Sequence, residues 1–201
     1  MGRLTVDMFV TLDGVIQAPG GPDEDKTLGF RHSGWQAPFQ DPEAFAAIER
    51  NILAMDALVL GRKTYDIFAN YWPKAPKDMP IAKKLNAVPK YVGSRTLKKV
   101  AWQNAHLMAD VVKAIPKIKR EHAEVHTIGS SDLIQTLLKH DLADRLNLWV
   151  YPLILGEGKR LFGPGAVPTA LRLVESKTFP SGAVHLVYDR AGKPQYGDMT
   201  K

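Results

Sequence analysis

Apolar and polar residues alternate along Leu4-Thr5-Val6-Asp7-Met8-Phe9-Val10, the period-two pattern of a strand, with Phe9 breaking strict alternation. No regular element fits between Gln17 and Gln40, and Gly, Pro and Asp crowd the stretch from Pro19 to Asp25. A connection of that length is usually a lid or a binding loop. Asp41-Pro42-Glu43 then opens a helix, because Asp caps free backbone N–H groups and Pro is tolerated in the first turn. Phe45, Ile48, Ile52 and Met55 follow at spacings of three and four and form one apolar stripe. Ala57-Leu58-Val59-Leu60 reads as a buried strand that stops at Gly61, where a short helix begins.

The alternation of strand and helix continues to the end. Tyr91 to Ser94 and Val125 to Ile128 read as strands, and Leu133, Ile134, Leu137 and Leu138 mark a helix. Pro116 conflicts with the helical pattern from Asp110 to Arg120, so that helix is expected to kink or start late. Leu146 to Val150 is a long strand, and strands Leu171 to Phe179 and Val184 to Arg190 are joined by the turn Pro180-Ser181-Gly182. This order predicts an α/β fold with a largely parallel sheet covered on both faces and a terminal antiparallel hairpin. One domain spanning residues 1–191 is expected, followed by a polar tail, 192–201, that frays.

Composition narrows the chemistry. The chain of 201 residues has no cysteine, which excludes disulfides, thiolate metal sites and a cysteine nucleophile. His122 and His126 stand four apart in His-Ala-Glu-Val-His, but Ala123 occupies the position where a zinc protease needs Glu. They read as polar residues near a surface turn, and no metal is expected. No apolar run approaches membrane-spanning length and no secretory leader is legible, so a cytoplasmic protein without a membrane partner is expected. The net charge of +6 suits an anionic ligand, yet the basic clusters are short and not interleaved with aromatics. Nucleic acid is therefore not the expected partner.

Three strand-to-helix junctions carry the candidate chemistry. Gly61-Arg62-Lys63-Thr64 combines a glycine, a hydroxyl and two cations at a helix start, where free N–H groups favour a phosphate. Ser94-Arg95-Thr96 places two hydroxyls and a guanidinium after a strand, and Gly129-Ser130-Ser131-Asp132 precedes the Leu133 helix. Each alone is an ordinary turn, whereas all three together point to a phosphate-rich dinucleotide. Gly158-Lys159 is no nucleotide P-loop, because Leu153 and Arg160 stand where Gly and Ser or Thr are required.

The same residues carry a resemblance. Thr11-Leu12-Asp13-Gly14-Val15-Ile16, the Gly61-Arg62-Lys63-Thr64-Tyr65 segment and Ile128 to Leu133 are similar to elements of the dihydrofolate-reductase-like family. So is Pro152 to Phe162, and the match is nearest to stand-alone relatives of the riboflavin-biosynthesis reductase domain. The resemblance implies a mixed, mostly parallel eight-stranded sheet, NADPH as hydride donor, a small heterocyclic substrate and a homodimer built on the strand of Leu148, Trp149 and Val150. It implies cofactor contacts from Val15, Ile16, Gly61, Arg62, Lys63, Thr64, Ser94, Arg95, Thr96, Gly129, Ser130, Ser131, Asp132 and Leu133. Leu155 and Gly156 would wall the substrate side.

Ser130 and Ser131 depart from the family, which has a second glycine near Gly129, and so narrow the approach of a pyrophosphate. For the proton that must accompany a hydride, Asp13 is the first candidate, although Asp13-Gly14 also reads as a plain turn. Dihydrofolate reductase itself takes an acid from a Trp-x-x-Pro-x-acid setting. Trp35, Pro38 and Asp41 approach it with one extra residue, and Asp41 is also explained as a helix cap. The resemblance implies the activity of 5-amino-6-(5-phosphoribosylamino)uracil reductase, with dihydrofolate reductase and a non-catalytic nucleotide- or nucleic-acid-binding module as alternatives.

Overall fold

The structure, a computed structural model, describes residues 1–163 and 166–200, so Lys201 of the expected tail lies outside the described residues. Eight strands form one sheet in the order β4-β3-β2-β5-β1-β6-β8-β7. They are β1 (Arg3–Thr11), β2 (Ala57–Gly61), β3 (Lys90–Gly93), β4 (Ala105–Met108), β5 (Glu124–Ile128), β6 (Arg145–Tyr151), β7 (Leu171–Thr178) and β8 (Val184–Arg190). All neighbours run parallel except β6 with β8 and β8 with β7. Helices α1 (Pro42–Ala54), α2 (Arg62–Tyr71), α3 (Pro80–Ala87), α4 (Val111–Glu121) and α5 (Ser131–Lys139) complete the fold.

The sheet alternation sorts the core. Leu4, Val6, Met8 and Val10 of β1 turn to one face, where they meet Ile115 and Ile118 of α4 and Leu133, Ile134 and Leu137 of α5. On the opposite face Leu58 and Leu60 pack with Ile81 and Leu85 of α3, Tyr65 of α2 and Trp102. A third cluster joins Val15, Phe30 and Trp35 of the long loop to Trp149, Tyr151 and Phe179. Gly158 is held in a left-handed conformation at φ +112°, and a Cβ there would stand 2.7 Å from Phe30. Only glycine lets that loop close on the third cluster.

The structure changes or completes the sequence reading at several elements. The helix α4 neither starts late nor breaks at Pro116; Asp110 caps it, accepting from the Lys113 N–H, and the buried Ile115 and Ile118 hold the helical face. Strand β6 lies between β1 and β8, with Trp149 only 2% exposed, so it is an interior strand and not an edge. The edge strands are β4 and β7, and β7 exposes Leu171, Leu173 and Val174. Helix α3 and strand β4 had no legible pattern at all.

One buried cation ties β3 to its surroundings. Lys90 is fully buried, and its Nζ donates to the carbonyls of Asn86 (2.9 Å), Val88 (2.7 Å) and Gln103 (3.1 Å) beneath the Trp102 ring. Burial pushes its pKa down to about 8. Lys90→Met would leave three carbonyls without their donor, and we expect it to cost about 2–3 kcal/mol in chemical denaturation. An unchanged midpoint would mean that the ammonium contributes nothing.

Candidate functional site

The strand order puts β5 between β1 and β2, and a crevice opens where these strands end, as expected of an open α/β sheet. It is a cavity of about 1530 Å³. That exceeds the roughly 300–1,000 Å³ of a pocket for one drug-sized ligand, so a dinucleotide and a second small molecule both have room.

All three junctions reach this cavity. Gly61 to Thr64, Ser94 to Thr96 and Gly129 to Leu133 line it, together with Ile16. The capping chemistry divides the helices into two kinds. Asp41 caps α1, and Asp110 caps α4, whose first turn also lines the cavity; α3 has no side-chain cap, and neither do α2 and α5, which start at the cavity. Their first-turn N–H groups stay available to an anion. Ser130, which lines the cavity, is tied to the neighbouring junction. Its backbone is left-handed at φ +68°, and its Oγ turns away to accept the Gly61 N–H at 2.9 Å. Gly129, at φ +63°, brings its backbone against Thr64, where a Cβ would stand 3.3 Å from the hydroxyl.

The cations at the junctions are unequal. Lys63 is engaged by Asp25 of the long loop, and Lys159 donates to the other oxygen of Asp25 at 2.9 Å. Burial opposes the Asp25 charge, but Lys63, Thr27 and Lys159 overcome it and hold the carboxyl far below the usual range. Arg62 donates to Thr96 Oγ1 at 2.6 Å and lies 3.6 Å from Asp66. Arg95 is exposed and has no ion-pair partner among the described residues.

The acid and substrate-side candidates fall elsewhere. Asp13, Val15, Trp35, Asp41, Leu155 and Gly156 are not part of the cavity wall. Asp13 instead clamps the segment after β6: its carboxylate accepts from Thr11 (2.6 Å) and from the N–H groups of Leu155 (3.3 Å) and Gly156 (2.9 Å), with Arg160 beside it. Burial opposes its charge, but these contacts win and hold Asp13 below its ordinary value, a poor state for an acid that must give up a proton at neutral pH. Asp41 accepts from the N–H groups of Glu43 (2.8 Å), Ala44 (3.1 Å) and Ser181 (3.1 Å), and the Ala44 bond foremost lowers its pKa. Val15 is buried beneath the loop, and Trp35 donates to the Gln17 carbonyl at 2.8 Å.

A different group occupies the inner end. Asp7 of β1 and Asn51 of α1 line it, with Phe9, Phe45, Ile48, Ile52 and Trp149 as apolar walls. Asp7 Oδ1 accepts from Asn51 Nδ2 (2.7 Å) and Asn147 Nδ2 (2.6 Å), and its Oδ2 meets His126 Nδ1 at 2.6 Å. His185 reaches Asn147 Oδ1 from the next strand and stacks on Trp149, ring centroids 4.2 Å apart. His126 is 3% exposed, so it is a core residue of β5 and not the surface-turn histidine its sequence context suggested. The stripe of α1 likewise serves the cavity: Phe45, Ile48 and Ile52 line it, and Met55 alone is fully buried. The signal for this network was present as polar residues at inward strand positions, but alternation does not say which face is covered.

Comparison with known proteins adds a family. The family model described as the RibD C-terminal domain matches residues 3–185. The uncharacterized protein YyaP of Bacillus subtilis (strain 168) is 28% identical over 194 residues, covering 92% of this chain and 94% of that one. A solved structure from Shewanella sp. PV-4, provisionally named a riboflavin biosynthesis protein, superposes with a TM-score of 0.70 at 23% identity, over 94% of this chain and 99% of that chain. A pyrimidine reductase-like protein from Corynebacterium diphtheriae NCTC gives 0.64 at 14% identity, over 94% and 92%. At these identities the two structures speak for the fold.

The buried network makes a pH prediction. Burial lowers the His126 pKa, but the Asp7 carboxylate raises it more, so the net shift is upward from 6.5; for His185 burial dominates and the shift is downward. The Asp7–His126 pair therefore contributes stability that is full below about pH 6.5 and is lost as pH rises through the higher folded value. NMR titration should show His126 with a midpoint above 6.5 and His185 below it. In Asp7→Asn the His126 midpoint should fall below that of the free side chain. A midpoint unmoved by this substitution would remove Asp7 as the partner.

Proposed function

From the premise that the chain belongs to the RibD C-terminal domain family, we propose that it is an NADPH-dependent oxidoreductase acting on a small, pyrimidine-like heterocycle. One observation carries this reading. Three phosphate-suited junctions and one apolar, aromatic inner end share a single cavity with room for two ligands.

NADPH fits the residues present. The uncapped starts of α2 and α5 and the close approach at Gly129 suit the pyrophosphate, and Arg95 with Arg62 suits the 2′-phosphate. When bound, the cofactor supplies the hydride. The chain's own part is to orient both ligands, with Phe9, Ile48, Ile52 and Trp149 excluding water at the inner end. The accompanying proton comes from solvent, because Asp13 and Asp41 spend their carboxyls on backbone amides and Asp7 on three side chains. The same fact weighs against dihydrofolate, whose reduction was tied to an acid at Asp41. The mixed charge of the cavity wall, with Lys63 and Lys159 taken by Asp25, gives no support to a nucleic-acid partner. A homodimer on this fold would pair through the open β7 edge.

Fluorescence titration tests the cofactor. Arg95→Ala should weaken NADPH by about 10- to 100-fold while leaving NADH nearly unchanged, the loss expected for a charge-assisted contact to phosphate. An equal loss for both dinucleotides would make Arg95 a residue of the fold.

The substrate is tested by following NADPH oxidation with dihydrofolate and with 5-amino-6-(5-phosphoribosylamino)uracil in parallel. Turnover of the pyrimidine alone is expected. Efficient turnover of dihydrofolate that disappears in Asp41→Asn, with none of the pyrimidine, would overturn the choice.

A further inference from the structure

The inner end of the cavity carries a polarity that follows from one carboxylate. Asn51 is half-buried on α1, and its Nδ2 donates to Asp7 Oδ1 at 2.7 Å. A carboxylate only accepts, and this one already receives Asn147 on the same oxygen and His126 on the other. The Asn51 amide therefore cannot turn over without setting its own oxygen against Asp7. Its Oδ1 has no protein partner among the described residues and is not sealed in the interior, so it is offered to the cavity that Asn51 lines. Gln36, the other amide nearby, is not fixed in this way. It bonds the Tyr151 hydroxyl at 2.8 Å, and a hydroxyl can donate or accept.

We propose that Asn51 Oδ1 determines specificity at this site by accepting a hydrogen bond from a ring N–H of a flat, uncharged heterocycle, with Asp7 as the residue that positions it. Phe45, Ile48 and Ile52 stand on the same helix as Asn51, and Phe9 and Trp149 complete an apolar surround. In that surround an unmet acceptor is costly, so a ligand that presents N–H is selected over one that presents a lone pair or a methyl group. The carboxylate beside Asn51 does not compete for this role. Asp7 is saturated at the inner end and Asp25 is paired with two lysines. A cationic ring finds no unpaired carboxylate there, whereas a lactam or an aminopyrimidine finds the acceptor it needs.

This inference rests on the reading that the inner end receives the hydride acceptor, and its test separates the two. The probes are 6-aminouracil, with two ring N–H groups, and 6-amino-1,3-dimethyluracil, with none. Calorimetric titration of each into the purified chain, with and without saturating NADPH, gives the preference directly. The wild type should favour 6-aminouracil by about tenfold, the worth of one hydrogen bond. Asn51→Leu keeps the side-chain volume and removes the acceptor, so the preference should shrink to within about twofold. Should the leucine variant not fold, Asn51→Ala gives the same comparison.

A preference that survives both substitutions would show that shape alone excludes the methyl groups, and would overturn the proposal. So would equal binding of the two probes by the wild type, or no binding of 6-aminouracil in either condition. NADPH binding is read separately by fluorescence in the same preparations. Its absence beside an intact, Asn51-dependent preference would sink the reductase reading and leave this inference standing. Its presence beside no preference would do the reverse.

Discussion

A carboxylate in the middle of a sheet must be met by donors, and that requirement organises this molecule around Asp7. An ionised group taken from water costs several kcal/mol unless its lone pairs are filled, on the order estimated for buried charges in general. Here the donors come from β5 through His126, from β6 through Asn147 and from α1 through Asn51. His185 then extends the network into β8. One side chain thus fixes the placement of three other strands and a helix. A slip of β1 by one residue would carry Asp7 to the face that holds Ile115 and Ile134, where nothing donates. The same network sets the position of α1, and with it the width of the cavity that α1 walls.

The helix starts are treated in two ways. Asp41 and Asp110 satisfy the first N–H groups of α1 and α4 locally, and neither helix needs anything further. At α2 and α5 the chain supplies no cap and instead presents Gly61 and a left-handed Gly129-Ser130 pair to the cavity. Ser130 in that conformation carries strain that glycine would not. It is offset by the bond from the Gly61 N–H, which locks the two junctions side by side.

The long loop after β1 is irregular but not loose, because polar ties replace the missing ladder hydrogen bonds. Gln17 Nε2 donates to the carbonyls of Asp25 and Thr27, Trp35 donates back to Gln17, and Asp25 joins Lys63 to Lys159. The last of these contacts binds the loop to α2 and to the segment after β6 at once. Lys63 is thereby neutralised, whereas the exposed Arg95 on that wall has no ion-pair partner among the described residues.

The amino-acid pattern alone determined most of the architecture. Seven of the eight strands, the capped start of α1 and the terminal hairpin follow from period, capping chemistry and turn residues, which are local properties. The three junctions were legible for the same reason, since each is a contiguous run of glycine, hydroxyl and charge. Only tertiary structure decided that Asp13 serves the backbone amides of Leu155 and Gly156, more than a hundred residues away in the chain, and that Asp41, beyond its local cap, also takes the distant Ser181 N–H. It also decided that Asp7, Asn51, His126, Asn147 and His185 form one group. Each sits singly in an unremarkable segment, and only the crossing order of β5, β1, β6 and β8 brings them within hydrogen-bond reach. Sequence periodicity tells which side chains share a face of a strand; which strands stand side by side is set by how the helices pack, and that information is not local.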